Sequence, residues 1–229
     1  MHKPQVRSFW DNAVYHTGNM EVCALTGNKD YLQYSIDWAD YNQWKGATSN
    51  NKAEWRSTYG ESPEYVLFGD WQVCFQTYAD LYKLDPDTIK IARAREVMEY
   101  QMSTSKLDYW HWVDALYMVM PVMVKMYDIT KNPLYLEKLH QYLTVTDSIM
   151  YDREVGLYYR DAKYPYPFHK TINGKKDFWS RGDGWAFAAF AKVLKQLPAE
   201  DKYREEYITR FQTMAKSIAC LLYTSDAAD

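Results

Sequence analysis

Apolar residues recur at helical spacing along most of this chain, and turn chemistry interrupts the pattern at regular places. From Trp10 to Leu25 the period predicts a first helix, which Thr26-Gly27-Asn28 closes in the manner of a C-cap. Asn28-Lys29-Asp30 then caps a second, in which Tyr31, Leu32, Ile36, Trp38 and Ala39 repeat until Trp44-Lys45-Gly46. The stretch from Ala47 to Pro63 is rich in Ser, Asn, Thr and Gly and has no period, so it reads as an irregular connection. Val66 to Leu84 reads as a third helix. Asp85-Pro86 is then expected to supply an N-cap and an N1 proline for a fourth, from Asp87 to Met102. A third pair runs from Trp112 to Asp128 and from Leu134 to Met150. Its turn, Thr130-Lys131-Asn132-Pro133, echoes Thr26-Gly27-Asn28. After a long aromatic loop, Tyr151 to Trp179, a last pair spans Gly182 to Gln196 and Asp201 to Ala219 around Leu197-Pro198. The expectation is an all-α fold of eight helices in four hairpins, one domain over residues 1–220, followed by a tail, 221–229, that leaves the amphipathic pattern.

The connections alternate, short inside a hairpin and long between hairpins, which places the long loops and the first helix starts at one end. Those starts carry Trp10-Asp11 with His16, Asp70-Trp71, Trp112 with Asp114, and Trp179 with Arg181, Asp183 and Trp185. Tryptophan beside a carboxylate suits a sugar site: rings supply apolar faces, and the dry wall they form raises a carboxyl towards acid-catalyst values. Each such residue also has a plainer reading as a helix cap. For Asp183, inside Arg181-Gly182-Asp183-Gly184, the cap is the reading adopted. For Asp70 and Asp114 the pocket is.

Composition narrows the chemistry further. Trp 9 and Tyr 22 in 229 residues exceed what packing needs, while a formal net charge of -3 offers no footprint for nucleic acid or an anionic membrane. Cys23, Cys74 and Cys220 lack metal-ligand spacing and read as core thiols, and the histidines lack it too, with His140 read as incidental on a solvated helix. No apolar run reaches transmembrane length, and Met1 to Arg7 is too polar and short for a signal peptide, which leaves cytoplasm and periplasm both open. There is no Gly-rich phosphate loop, no G-x-S-x-G and no H-E-x-x-H. Carboxylate acid/base chemistry remains, and sugars are its commonest setting.

Five stretches now resemble a known family: Trp10-Asp-Asn-Ala-Val-Tyr-His16, Phe68-Gly-Asp-Trp-Gln-Val-Cys-Phe-Gln-Thr-Tyr78, Trp112-Val-Asp-Ala-Leu-Tyr-Met118, Gly156-Leu-Tyr-Tyr-Arg160 and Phe178-Trp-Ser-Arg-Gly-Asp-Gly-Trp185. They are similar to motifs of the unsaturated glucuronyl and rhamnogalacturonyl hydrolases of glycoside hydrolase family 105, with family 88 as a cousin. The resemblance implies an (α/α)6 barrel, of which this chain would supply about eight of twelve helices. The reading therefore expects an incomplete barrel, cut where the sequence after Ala219 turns foreign. It also implies removal of a 4,5-unsaturated uronic acid from lyase-generated oligosaccharides by hydration of a vinyl ether. Asp114 would protonate C4 and then help water attack C5, and Asp70 would orient the water or the sugar hydroxyls. Arg181 and Trp185 would hold and stack the ring, in one cavity with the two acids, and Trp10, His16, Trp112 and Arg160 would also face the substrate. No metal or cofactor is implied. Arg160-Asp161 stands where many members carry histidine, which bears on the preferred aglycone. An ordinary acid/base glycosidase on the same barrel and a non-catalytic helical-repeat glycan- or protein-binding module are the alternatives.

Overall fold

A computed structural model describes residues 3–224. Among the described residues lie nine α-helices: α1 (Trp10–Thr26), α2 (Lys29–Tyr41), α3 (Gly69–Gln72), α4 (Cys74–Leu84), α5 (Ile89–Ser103), α6 (Asp114–Thr130), α7 (Leu134–Met150), α8 (Ser180–Gln196) and α9 (Arg204–Thr224). A two-stranded antiparallel pair, β1 (Tyr151–Asp152) and β2 (Leu157–Tyr158), sits in the long aromatic loop.

The turns explain where the helices stop. Gly27 takes the left-handed conformation, φ 68°, and its N–H bonds back to the Cys23 carbonyl. Asn28 then accepts the Asp30 N–H at 2.8 Å and its own N–H donates to Thr26 Oγ1 at 3.2 Å. The echo at the α6–α7 turn repeats each part. Lys131 has φ 57° and bonds back to Tyr127 O, Asn132 Oδ1 accepts the Leu134 N–H at 3.0 Å, and Asn132 N–H donates to Thr130 Oγ1 at 3.3 Å. Similar letters thus encode the same capped turn twice.

Several boundaries differ from expectation, three of them for a clear local reason. The helix expected from Val66 begins at Gly69, because Leu67 N–H and Glu64 O are engaged with the backbone of Arg56 and hold this stretch in turns. It is also divided at Val73, which keeps helical dihedrals, φ -59° and ψ -30°, and joins α3 to α4. Asp85-Pro86 does not open α5. Asp87 accepts the Ile89 N–H at 3.1 Å instead, and Asp85 forms an ion pair with Lys90 at 2.7 Å. Finally, α9 starts after Asp201, whose carboxylate accepts the Tyr203 N–H at 2.9 Å, and runs on to Thr224. The start of the expected irregular tail is therefore helical, and residues 225–229 lie outside the described residues.

The described chain divides into two compact units. One comprises the residues up to Tyr109 with Pro121–Lys138, the other Trp110–Met120 with the residues from Leu139 onward. In the first, α1 packs on α2 and on α4, and α4 on α5. Trp38, Tyr78 and Phe75 are fully buried there, and Lys125, almost wholly buried, is paired with Asp80. In the second, α8 packs on α9 and on β2. The apolar run of α6 is buried on every side from Leu116 to Val124, as a helix hydrophobic all round must be. Of the three thiols, only Cys74 is buried; Cys220 is exposed and Cys23 half-buried, so the core assignment holds for Cys74 alone. His140 is not incidental: its ring stacks on Tyr203, 3.7 Å between centroids.

Candidate active site

Within the second unit, five of the residues singled out in the sequence are Trp112, Asp114, Arg160, Arg181 and Trp185. Asp114 stands at the first position of α6 because the two residues before it are tied elsewhere: Trp112 bridges Asp161, and Val113 N–H donates to Arg160 O at 2.9 Å. The strand-like segment after β2 therefore fixes where α6 begins. The start of α8 closes on the same point. A Cβ on Gly182 would meet Val113 Cγ1 at 2.5 Å and Trp179 Cε3 at 2.8 Å, so α8 approaches this closely only with glycine there.

The electrostatics follow from that packing. Burial pushes the Asp114 carboxyl up from 3.8 to about 6, against the opposing pull of Arg181 and then Arg160. Its Oδ1 is buried with no hydrogen-bond partner among the described residues. A lone carboxyl in a dry wall with two cations in range retains its proton at mildly acidic pH and can hand it to a substrate. One turn further along, Tyr117 and Trp185 rings meet at 4.7 Å, and Trp185 Nε1 is likewise buried without a partner. Arg181 is exposed, its guanidinium 4.2 Å over the Trp179 ring. Arg160 is held by Asp161 at 2.9 Å and lies 4.3 Å over Tyr164, which accounts for the paired Arg160-Asp161 in this chain.

Asp183 is not a cap. The N-cap of α8 is Trp179, and no side chain caps it. Asp183 lies inside the first turn, is 4% exposed, and its Oδ1 accepts the Tyr158 N–H at 2.8 Å, stitching α8 to β2. Burial raises this carboxyl to about 7. The Gly182-Asp183-Gly184 run disguised it, since the same letters suit a capped start. Tyr158 in turn gives its hydroxyl to Asp147 at 2.6 Å, and Asp147 binds Arg210 at 2.7 Å, so β2 is braced on both sides. Asp183→Ala leaves a buried N–H unsatisfied and is expected to cost about 1–3 kcal/mol at pH 4, where the carboxyl is protonated, while Asp183→Asn, which retains the acceptor, holds stability near the parent value at that pH. Chemical denaturation of the two variants reads the difference.

The first unit holds Asp70, Trp10 and His16. Asp70 is buried, 5% exposed, in the single turn of α3; the Tyr59 hydroxyl is raised first by its hydrogen bond to Glu61, with the Asp70 charge a lesser cause. Trp10 opens α1 and is half-buried. His16 is 1% exposed, stacks on Trp38 at 4.0 Å and on Tyr34 at 5.4 Å, and bonds Ser35 Oγ at 3.1 Å through Nδ1. Burial lowers it to about 4, so it is a neutral ring joining α1 to α2. Among the described residues no group of three His, Cys, Asp or Glu side chains is placed to hold a metal, and no helix is long and apolar enough to cross a membrane.

A family model for glycosyl hydrolase family 88 matches residues 2–225. The chain belongs to glycosyl hydrolase family 88. It is 26% identical over 219 residues to an unsaturated 3S-rhamnoglycuronyl hydrolase of Formosa agariphila, an alignment covering 91% of this chain and 56% of that protein. Among solved structures it is similar to a polysaccharide lyase, with a TM-score of 0.93 and 71% identity over 94% of this chain and 61% of that one. It also superposes on a family 105 glycoside hydrolase of C. acetobutylicum, with a TM-score of 0.72 and 18% identity over 97% of this chain and 63% of that one. That likeness shows a shared fold, the helical-barrel type. The chain thus spans between half and two thirds of the length of these relatives.

Proposed function

We propose that this family 88 chain carries the acid of a hydrolase that removes a 4,5-unsaturated uronic acid from the non-reducing end of lyase-generated oligosaccharides. The observation that supports it most is Asp114: a carboxyl held near 6 by burial, with one oxygen unpartnered and two arginines in range. Its proton passes to C4 of the vinyl ether, and charge develops at C5. Water adds to C5 while Asp114 takes back a proton. The resulting C5 hemiketal opens to a ketone and leaves C1 as a hemiacetal bearing the aglycone, which then collapses to an aldehyde and expels the aglycone as an alcohol. One carboxyl serves both steps, and Arg181, which can bind a carboxylate through its planar fork, holds the uronate. Trp185 offers a ring face to the sugar, as does Trp112.

The hydrolase named among the relatives acts, by its name, on unsaturated rhamnoglycuronyl units, which accords with this chemistry. A second reading is favoured by one observation, the 71% identity to a structure named as a polysaccharide lyase. A lyase would need Asp114 as a base that removes a proton, active in the ionised form.

One experiment separates the two. An unsaturated uronide loses its ultraviolet chromophore on hydration, whereas a saturated polyuronide gains one on elimination. The hydrolase reading expects loss of absorbance at a rate that falls as pH rises through about 6, because the protonated form of Asp114 is the acid. Gain of absorbance on the saturated polymer, rising through the same pH, replaces the hydrolase by the lyase.

A further inference from the structure

Arg160 and Arg181 both act on Asp114, and between them the chain makes a self-braced excursion. Tyr159 stacks on Phe178 at 4.7 Å and closes its base. Above the base, Arg160 lies over Tyr164, the Tyr164 ring meets His169 at 4.5 Å, and His169 Nε2 is 2.7 Å from Asp177 Oδ2. A tight turn closes the tip: Thr171 N–H donates to Lys175 O and Gly174 N–H to Thr171 O, both at 2.9 Å. The arm's rings and polar groups are thus largely spent on holding its own shape.

What it leaves outward is of a different kind. Phe168 is 87% exposed, Ile172 102% and Tyr166 44%, three large apolar side chains within seven residues. One exposed phenylalanine would mean nothing, but a cluster on a braced support is the form that interaction sites take. Around them Lys163, Lys170 and Lys175 are exposed, Lys170 lying 5.2 Å over the Tyr166 ring. The segment 160–178 carries five cations, Arg160 and four lysines, against Asp161 and Asp177, in a chain whose formal net charge is -3. Apolar rings flanked by cations complement a ligand that has C–H faces and negative charges together. An acidic oligosaccharide has both, whereas a neutral glycan would leave the lysines without counterparts.

We infer that the arm 160–178 binds the remainder of an acidic oligosaccharide chain, beyond the terminal uronate handled at Asp114. Phe168 and Tyr166 stack on sugar faces, and Lys170 and Lys175 meet carboxylate or sulfate groups. The inference rests on the hydrolase reading for its substrate, but the arm's binding is measured independently of turnover. The first measurement is retardation in native gels containing polygalacturonate, chondroitin sulfate or neutral dextran. The acidic polymers are expected to retard the full chain, less so at higher salt, and dextran is not. Phe168→Ala with Lys170→Ala, both at exposed positions, should weaken that binding about five-fold, the order expected for one stacked ring and one exposed charge. Failure of every acidic polymer to retard the chain, or equal retardation of the double variant, overturns the inference. A dimer by light scattering that Phe168→Ala converts to monomer also overturns it, since the patch would then be covered by a second copy. The second measurement is KM on an unsaturated disaccharide and on a longer acidic oligosaccharide. A rise confined to the longer substrate supports the arm; a KM unchanged on the longer substrate, or raised equally on both, rejects it and leaves the hydrolase standing. Retardation without turnover of either substrate counts against the hydrolase and for the arm.

Discussion

Asp114→Asn is expected to abolish loss of the chromophore from an unsaturated uronide and, in the same protein, to raise stability at neutral pH. The two effects have one cause. The carboxyl ordinarily titrates at 3.8 and in the folded chain at about 6, so folding disfavours its ionised form. Below pH 4 it is protonated in both states and carries no penalty. Between pH 4 and 6 the penalty grows, and above 6 it is complete. At about 1.4 kcal/mol per pH unit the whole difference is ~3 kcal/mol, and partial contact with solvent trims it to roughly 1–2 kcal/mol. Asparagine has nearly the same shape and no charge, so thermal melts at pH 7 should show that gain and melts at pH 4 should not. Turnover should drop by about a thousand-fold or more, the order lost when a proton donor is removed. Substantial turnover by Asp114→Asn would end the assignment, and a destabilised variant at pH 7 would end the account of its burial.

The second large effect is expected at Gly182. A methyl there lies 2.5 Å from Val113 Cγ1 and 2.8 Å from a ring carbon of Trp179, so Gly182→Ala must push the start of α8 away from the residue that precedes Asp114. Such overpacking costs about 1–3 kcal/mol. It should also cost turnover, because the Val113 N–H bond to Arg160 that positions Asp114 lies at the same contact. The remedy is specific. Val113→Ala removes the methyl that collides, so the double variant Gly182→Ala with Val113→Ala should recover part of both losses, giving a coupling that independent sites do not show. Additive effects in that cycle would refute the close approach.

The helices were legible because each has an apolar period and most have a turn with its own chemistry; Leu134–Met150 falls where the period predicts. What escaped were features set by contacts distant in sequence. The pairing of 64–67 with Arg56 shortens a helix whose own letters continue the pattern. The β1–β2 pair is two residues a side, too short for alternation to register, although Asp152, whose carboxylate accepts the Glu154 and Val155 N–H groups at 3.0 Å, and Gly156 at φ 78° are the turn chemistry that could have disclosed it. At the site, Asp114 was legible from its aromatic setting. Asp183 was not, since its partner is a backbone N–H at Tyr158, and no local pattern records that. His16, which the resemblance places towards the substrate, has its ring packed between the first two helices, a use of histidine that looks the same in sequence.

The division of the described chain into two units has a bearing on synthesis. Each unit is assembled from separated stretches: the first needs 121–138, and the second draws on 110–120 as well as everything from Leu139. As the polypeptide leaves the ribosome, the first unit stays unfinished until residue 138 has emerged. By then 110–120, most of it apolar, has been waiting in the open for its partners. That interval, rather than the finished fold, is when a chaperone has most to protect.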